Sequence, residues 1–171
     1  MRRLWPALVL LAACGPPEAS APPFNFDFVL SAAFADTVDK LQVTLVTRGR
    51  SLAGGDCITV QQSCLVDRPE MTADRHVRVK DAAGVERRAL VFPLNLKPVG
   101  SNSAQDVSVQ GVPLGKDYAL VIEAITRGAP TLAGSSCTYL PEVSAGTNPR
   151  VLAIAIKPLT PPVGCDPRVD R

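Results

Sequence analysis

Phe24, Phe26, Phe28 and Leu30 alternate with Asn25, Asp27, Val29 and Ser31, a period of two that lines one side of an extended chain with apolar groups. This is the clearest predicted strand. The pattern returns at Leu41, Val43 and Leu45, separated by Gln42 and Thr44, and at Val77 and Val79, flanked by His76, Arg78 and Lys80. Leu90, Phe92, Leu94 and Leu96 predict a further strand. Pro93 within it marks an edge or a bulge, because proline has no N–H to give to a neighbouring strand. Ala82-Ala83-Gly84 supplies a hairpin turn between these two runs. Val107 with Val109, Leu120 with Ile122, and Leu152 with Ile154 and Ile156 bring the count to seven or eight strands. No segment shows a convincing helical period. The expected architecture is all-β, a sandwich of two antiparallel sheets, with a closed barrel as the alternative.

Composition sharpens this picture. Sixteen prolines and twelve glycines among 171 residues favour many turns between short strands. The formal net charge of +2 comes from 18 basic and 16 acidic residues, and two of the basic ones are Arg2 and Arg3 at the start. Long like-charge runs that would release counterions from phosphates are absent from the sequence, so nucleic acid is set aside as a partner.

The chain opens with Met1-Arg2-Arg3 and an apolar run from Leu4 to Ala13, the order of a secretory leader. The run is interrupted by Pro6 and stops at Cys14, well short of the roughly 20 apolar residues that cross a bilayer. Leu11-Ala12-Ala13-Cys14 resembles the bacterial lipobox. That resemblance implies a signal peptide over residues 1–13 and lipidation at Cys14, whose two or three acyl chains would hold the protein to a membrane. Gly15 stands where Gram-negative lipoproteins retained at the inner membrane usually carry aspartate, which implies outer-membrane sorting. Residues 14–23 contain Pro16, Pro17, Pro22 and Pro23, which forbid helix and favour an extended tether. Residues 24–171, roughly 150 in number, suffice for one hydrophobic core and are expected to form a single domain.

The stretch from Val109 through Gly111, Pro113, Gly115 and Tyr118 to Val121 resembles the strand, Pro-Gly turn and tyrosine strand of prealbumin-like or carboxypeptidase-regulatory-like sandwich modules. The resemblance spans about a dozen residues. It implies an Ig-like or prealbumin-like sandwich in which Tyr118 serves the core. An internal echo also stands out: Thr47-Arg48-Gly49, Leu52-Ala53-Gly54 and Cys57 against Thr126-Arg127-Gly128, Leu132-Ala133-Gly134 and Cys137. Read as two loops at one end of the sandwich, these segments are candidates for a binding face, although turn chemistry alone also accounts for their glycines.

With Cys14 assigned to lipid, Cys57, Cys64, Cys137 and Cys165 remain, an even number in a compartment that permits disulfides. Two bridges are expected. Three connectivities are possible, and pairing of neighbours, Cys57 with Cys64 and Cys137 with Cys165, asks least of an unknown topology. Zinc ligation is disfavoured, since six residues separate Cys57 from Cys64 where structural sites usually place two to four.

His76 is the sole histidine, and its alternation with Val77 and Val79 places it on a solvated strand face with Arg78 and Lys80. A hydrolase would need it to serve a serine nucleophile, yet the chain has no Gly-x-Ser-x-Gly elbow. The carboxylates follow no calcium-loop spacing and there is no glycine-rich phosphate cradle, so no cofactor or metal is expected. These readings converge on a non-enzymatic envelope lipoprotein that contacts a protein partner. The alternative is a carbohydrate-binding or adhesive module, for which Tyr139 is the obvious aromatic platform.

Overall fold

The computed structural model describes residues 23–52, 57, 60–99, 102–144 and 151–170. The expected leader, the lipidation site Cys14 and all but the last residue of the tether lie outside the described residues.

The Phe-rich alternation becomes β1 (Phe24–Ser31), with Phe24, Phe26, Phe28 and Leu30 all buried. A single helical turn, α1 (Ala32–Ala35), reverses the chain into β2 (Val38–Thr47). Short 3-10 turns fill much of the long excursion that follows, up to β3 (Val79–Lys80) and β4 (Glu86–Arg87). Then come β5 (Leu90–Pro93), β6 (Lys97–Val99), β7 (Asn102–Val109), β8 (Gly115–Thr126), β9 (Leu132–Val143), β10 (Val151–Ala155) and β11 (Lys157–Val163).

The strands form a sandwich. One sheet has the order β10-β1-β7-β6, the other β11-β9-β8-β2-β5, and β3 with β4 makes a separate ribbon. All pairs are antiparallel except β1 with β10, which run parallel. Among the described residues the two sheets thus hold nine strands, where seven or eight were expected in the whole domain. Those that escaped the sequence pattern are proline-bearing β6 and β11, the two-residue β4, and β9, whose first half reads Leu-Ala-Gly-Ser-Ser-Cys and carries small residues in place of an apolar alternation.

Between the sheets, the β1 phenylalanines meet Leu41, Val43 and Leu45 of β2 and Leu120 and Ile122 of β8 in one core. Phe26 and Phe28 pack edge to face at 5.1 Å. Each such side chain removed from water contributes about 1.5–3 kcal/mol. Tyr118 belongs to this core, and its burial raises the phenol's pKa. The turn ahead of it, with Gly111 at φ +71°, carries the chain from β7 in one sheet to β8 in the other.

The five-stranded sheet is buried on its second face as well. Gln42 and Thr44 of β2, on the face opposite the apolar row, are each 1 % exposed. They lie alongside Val46, and β8 contributes Ala119, Val121 and Glu123 to the same outer face by alternation. A second apolar cluster forms there from Val46, Leu52, Cys57, Leu65, Ala119 and Val121, with Met71 and Cys137 packed against it. The excursion after β2 and the C-terminal segment after β11 supply the cover, so the domain is in effect a sandwich with a third, irregular layer.

A Cβ on Gly134 would sit 2.5 Å from the Lys157 carbonyl and 2.7 Å from Phe34 Cζ, so β9 admits β11 and α1 at that point because a side chain is missing.

Candidate functional site

The four domain cysteines form two disulfides, but not between neighbours. Cys57 pairs with Cys137 and Cys64 with Cys165, with Cα separations of 5.4 and 6.1 Å. The expected pairing of Cys57 with Cys64 and Cys137 with Cys165 is therefore corrected. The reason is topological: Cys137 faces Val121 across β8 and β9, next to the outer cluster into which the excursion delivers Cys57. Cys165 follows β11 and meets the next part of the excursion. Cys64, Asp67 and Cys165 bring three potential ligand atoms within 4.8 Å of one another, but both sulfurs are spent on their own bond and offer no thiolate.

The echoed loops do not share a face. Thr47 lies opposite Tyr118 and Thr126 lies near Val38, so Thr47-Arg48-Gly49 and Thr126-Arg127-Gly128 sit at opposite ends of the β2–β8 pair. Leu132-Ala133-Gly134 is strand rather than loop. The expected paired binding loops are thereby overturned, because β2 and β8 run antiparallel.

His76 is half-buried rather than solvated. Its backbone bridges to Val46 at the end of β2, its Nδ1 is buried with no hydrogen-bond partner among the described residues, and burial, with Arg88 adding to it, holds its pKa below the usual value. The 3-10 turn Ala73–Arg75 just before it folds the segment against β2, which the strand alternation could not reveal. Tyr139 is half-buried too, with the Arg50 guanidinium 5.6 Å from its ring centroid.

A buried carboxylate is the feature that sequence reasoning missed. Glu123 of β8 faces Gln42 of β2 and is 1 % exposed. Its Oε1 accepts from the Leu65 N–H at 2.8 Å and its Oε2 from Gln42 Nε2 at 3.0 Å. Gln42 also donates to the Pro167 carbonyl at 2.6 Å and accepts from the Val169 N–H at 3.0 Å. Burial pushes Glu123 up to about 7, against the pull of its two hydrogen bonds and with help from Asp67. The network ties the C-terminal segment across the sheet. Beyond it, Arg88 donates to the Val169 carbonyl and pairs with Asp170 at 2.9 Å.

That segment ends on a groove of about 820 Å³, within the range of roughly 300–1,000 Å³ typical of ligand pockets. Ala89, Leu90, Val91 and Phe92 give it an apolar lining next to β5. The Asp81–Gly84 turn of the β3–β4 ribbon forms another side, where Asp81 Oδ1 accepts from the Ala83 and Val85 N–H groups. Val85 and Val91 are two of the large apolar side chains most exposed on the described surface, and Val91 is 49 % exposed. Comparison with protein-family models, with curated proteins and with solved structures found no match for this chain.

Proposed function

We propose that this protein is a lipid-anchored lipoprotein of the bacterial cell envelope, sorted to the outer membrane, whose disulfide-stabilised sandwich binds a protein partner and does no chemistry. The observation that carries this reading is the division of the cysteines: four are paired inside the domain, and the fifth, Cys14, stands at the lipobox position ahead of it. Disulfides of this kind belong to exported proteins. The Pro-rich residues 14–23 would then act as the spacer between lipid and domain.

Two features favour binding over catalysis and over glycan recognition. A histidine base needs an orienting partner on one ring nitrogen, and His76 Nδ1 has none among the described residues. Tyr139 has the protein's own Arg50 over its ring, which takes up the aromatic face a sugar would stack on.

The test is Cys14→Ser in the producing cell, followed by membrane fractionation and intact-mass analysis. The reading requires the wild-type protein in the membrane fraction with a mass increment of acyl chains, and the variant released. A variant that stays membrane-bound, or a wild-type protein without the increment, sinks it.

A further inference from the structure

We propose that the groove beside β5 receives one extended segment of a partner protein, added as a strand to the open edge of the five-stranded sheet with an acidic side chain directed to Lys80. This rests on the protein-binding reading above and names its site and the partner's chemistry.

Among the described residues, β5 is the last strand of its sheet and pairs with β2 alone. The Leu94 N–H donates to the Asp39 carbonyl at 3.3 Å, and Phe92 and Leu90 face Leu41 and Val43 in register. In an antiparallel pair the bonded residues alternate, so Leu90, Phe92 and Leu94 turn their main-chain groups toward β2, whereas Ala89, Val91 and Pro93 turn theirs away. Pro93 has no N–H, and its carbonyl accepts from Gln105 Nε2 at 3.2 Å. The same Gln105 accepts from the Asn95 N–H at 2.9 Å. That end of the edge is sealed by one side chain reaching over from β7. Val91 remains, in the groove, with an outward N–H and C=O and an exposed side chain.

Strand addition uses such a donor–acceptor pair for affinity and adjacent pockets for selectivity. Val91, Phe92, Ala82 and Ala83 offer apolar contact to a side chain of the incoming strand. Charge sets its sign. Of the charged groups lining the groove, Arg87 pairs with Asp81 at 3.1 Å and Asp170 with Arg88 at 2.9 Å. Lys80 is exposed and makes no ion pair within 4.0 Å among the described residues, although Glu86 lies across the ribbon from it. An acidic partner strand satisfies it.

The probe is a fluorescein-labelled, end-blocked peptide, Thr-Val-Asp-Val-Asp-Val-Thr, with a counterpart carrying lysine at both aspartates, titrated with the mature domain and read by anisotropy. The acidic peptide is expected to bind about tenfold tighter than the basic one, Lys80→Glu to reverse that order, and Val91→Pro to weaken both about tenfold, since proline removes the outward N–H. Equal binding of the two peptides, or binding indifferent to Val91→Pro, overturns the proposal. So does a self-associated domain that Val91→Pro makes monomeric, because the edge would then serve a second copy. Should Val91→Pro not fold, the Lys80→Glu reversal decides. A photo-crosslinking residue at Val91 and, separately, at exposed Lys116 outside the groove is then used in intact producing cells. Protein adducts from 116 without any from 91 overturn the groove and leave the protein-binding reading standing. Adducts from neither overturn both.

Discussion

Gln42 and Glu123 face each other across β2 and β8, and their side chains share a 3.0 Å hydrogen bond on the sheet face opposite the main core. The orientation of the Gln42 amide is dictated from outside the pair. The Val169 N–H requires an acceptor and the Pro167 carbonyl a donor, so Oε1 and Nε2 can stand only one way, and Nε2 then presents its second proton to Glu123. The Leu65 N–H occupies the other carboxyl oxygen. Four segments distant in sequence, around residues 42, 65, 123 and 167–169, are held by one buried cluster, a high-stakes arrangement because each member orphans the others when removed.

The carboxyl titration gives a stability signature. The folded-state pKa of Glu123 stands at about 7 against an ordinary 4.5, so the folded chain holds the proton more tightly than the unfolded chain does. The resulting stabilisation is fully present below the unfolded value and is lost as pH rises through the folded one, amounting to about 3 kcal/mol between those limits. Urea unfolding across this window should show wild-type stability declining relative to Glu123→Gln, which has nothing to titrate there. Parallel pH profiles for the two proteins would refute the assignment.

The long-range bridges should be visible chemically and thermodynamically. Peptide mapping without reduction is expected to yield Cys57 joined to Cys137 and Cys64 joined to Cys165. The second bridge spans 101 residues, and a loop of about 100 residues corresponds to roughly 4–5 kcal/mol in the chain-entropy model. Replacing Cys64 and Cys165 together by serine should lower the denaturant midpoint accordingly. Recovery of a Cys57–Cys64 peptide would contradict the described topology.

Arg75 is the second buried polar tie. It is 4 % exposed and donates to the Thr47 carbonyl at 3.0 Å, the Arg48 carbonyl at 2.7 Å and the Glu70 carbonyl at 3.3 Å. Arg75→Met keeps much of the volume but strands these acceptors, and a loss of about 2–4 kcal/mol is expected. Arg75→Lys should recover little of it, because an ammonium lacks the planar fork. Thermal unfolding decides the point, and a full rescue by lysine would count against the geometry.

How much of this was legible beforehand depends on where the information resides. Alternation of large apolar and polar side chains is a local property, so β1, β2, β5, β7 and β8 could be read directly, as could the edge role of Pro93. In β9, Ala133, Gly134, Ser135 and Ser136 are small because other elements press on both faces of the strand, so it carries no periodic signal of its own. Gln42 and Glu123 look like solvent-facing positions until a third layer covers them.

The all-β class, and the four cysteines left to pair once the expected lipid site Cys14 is set aside, are written locally along the chain, because strand period and residue counts need no partner to be expressed. Which cysteines meet, that His76 is half-buried, that the echoed loops lie at opposite ends, and that the edge at Val91, unpaired among the described residues, opens beside Lys80 emerge only once the strands have packed. Each of these depends on residues tens of positions apart arriving side by side. Local pattern cannot encode that arrival; only the order and direction of strands in the two sheets fix it.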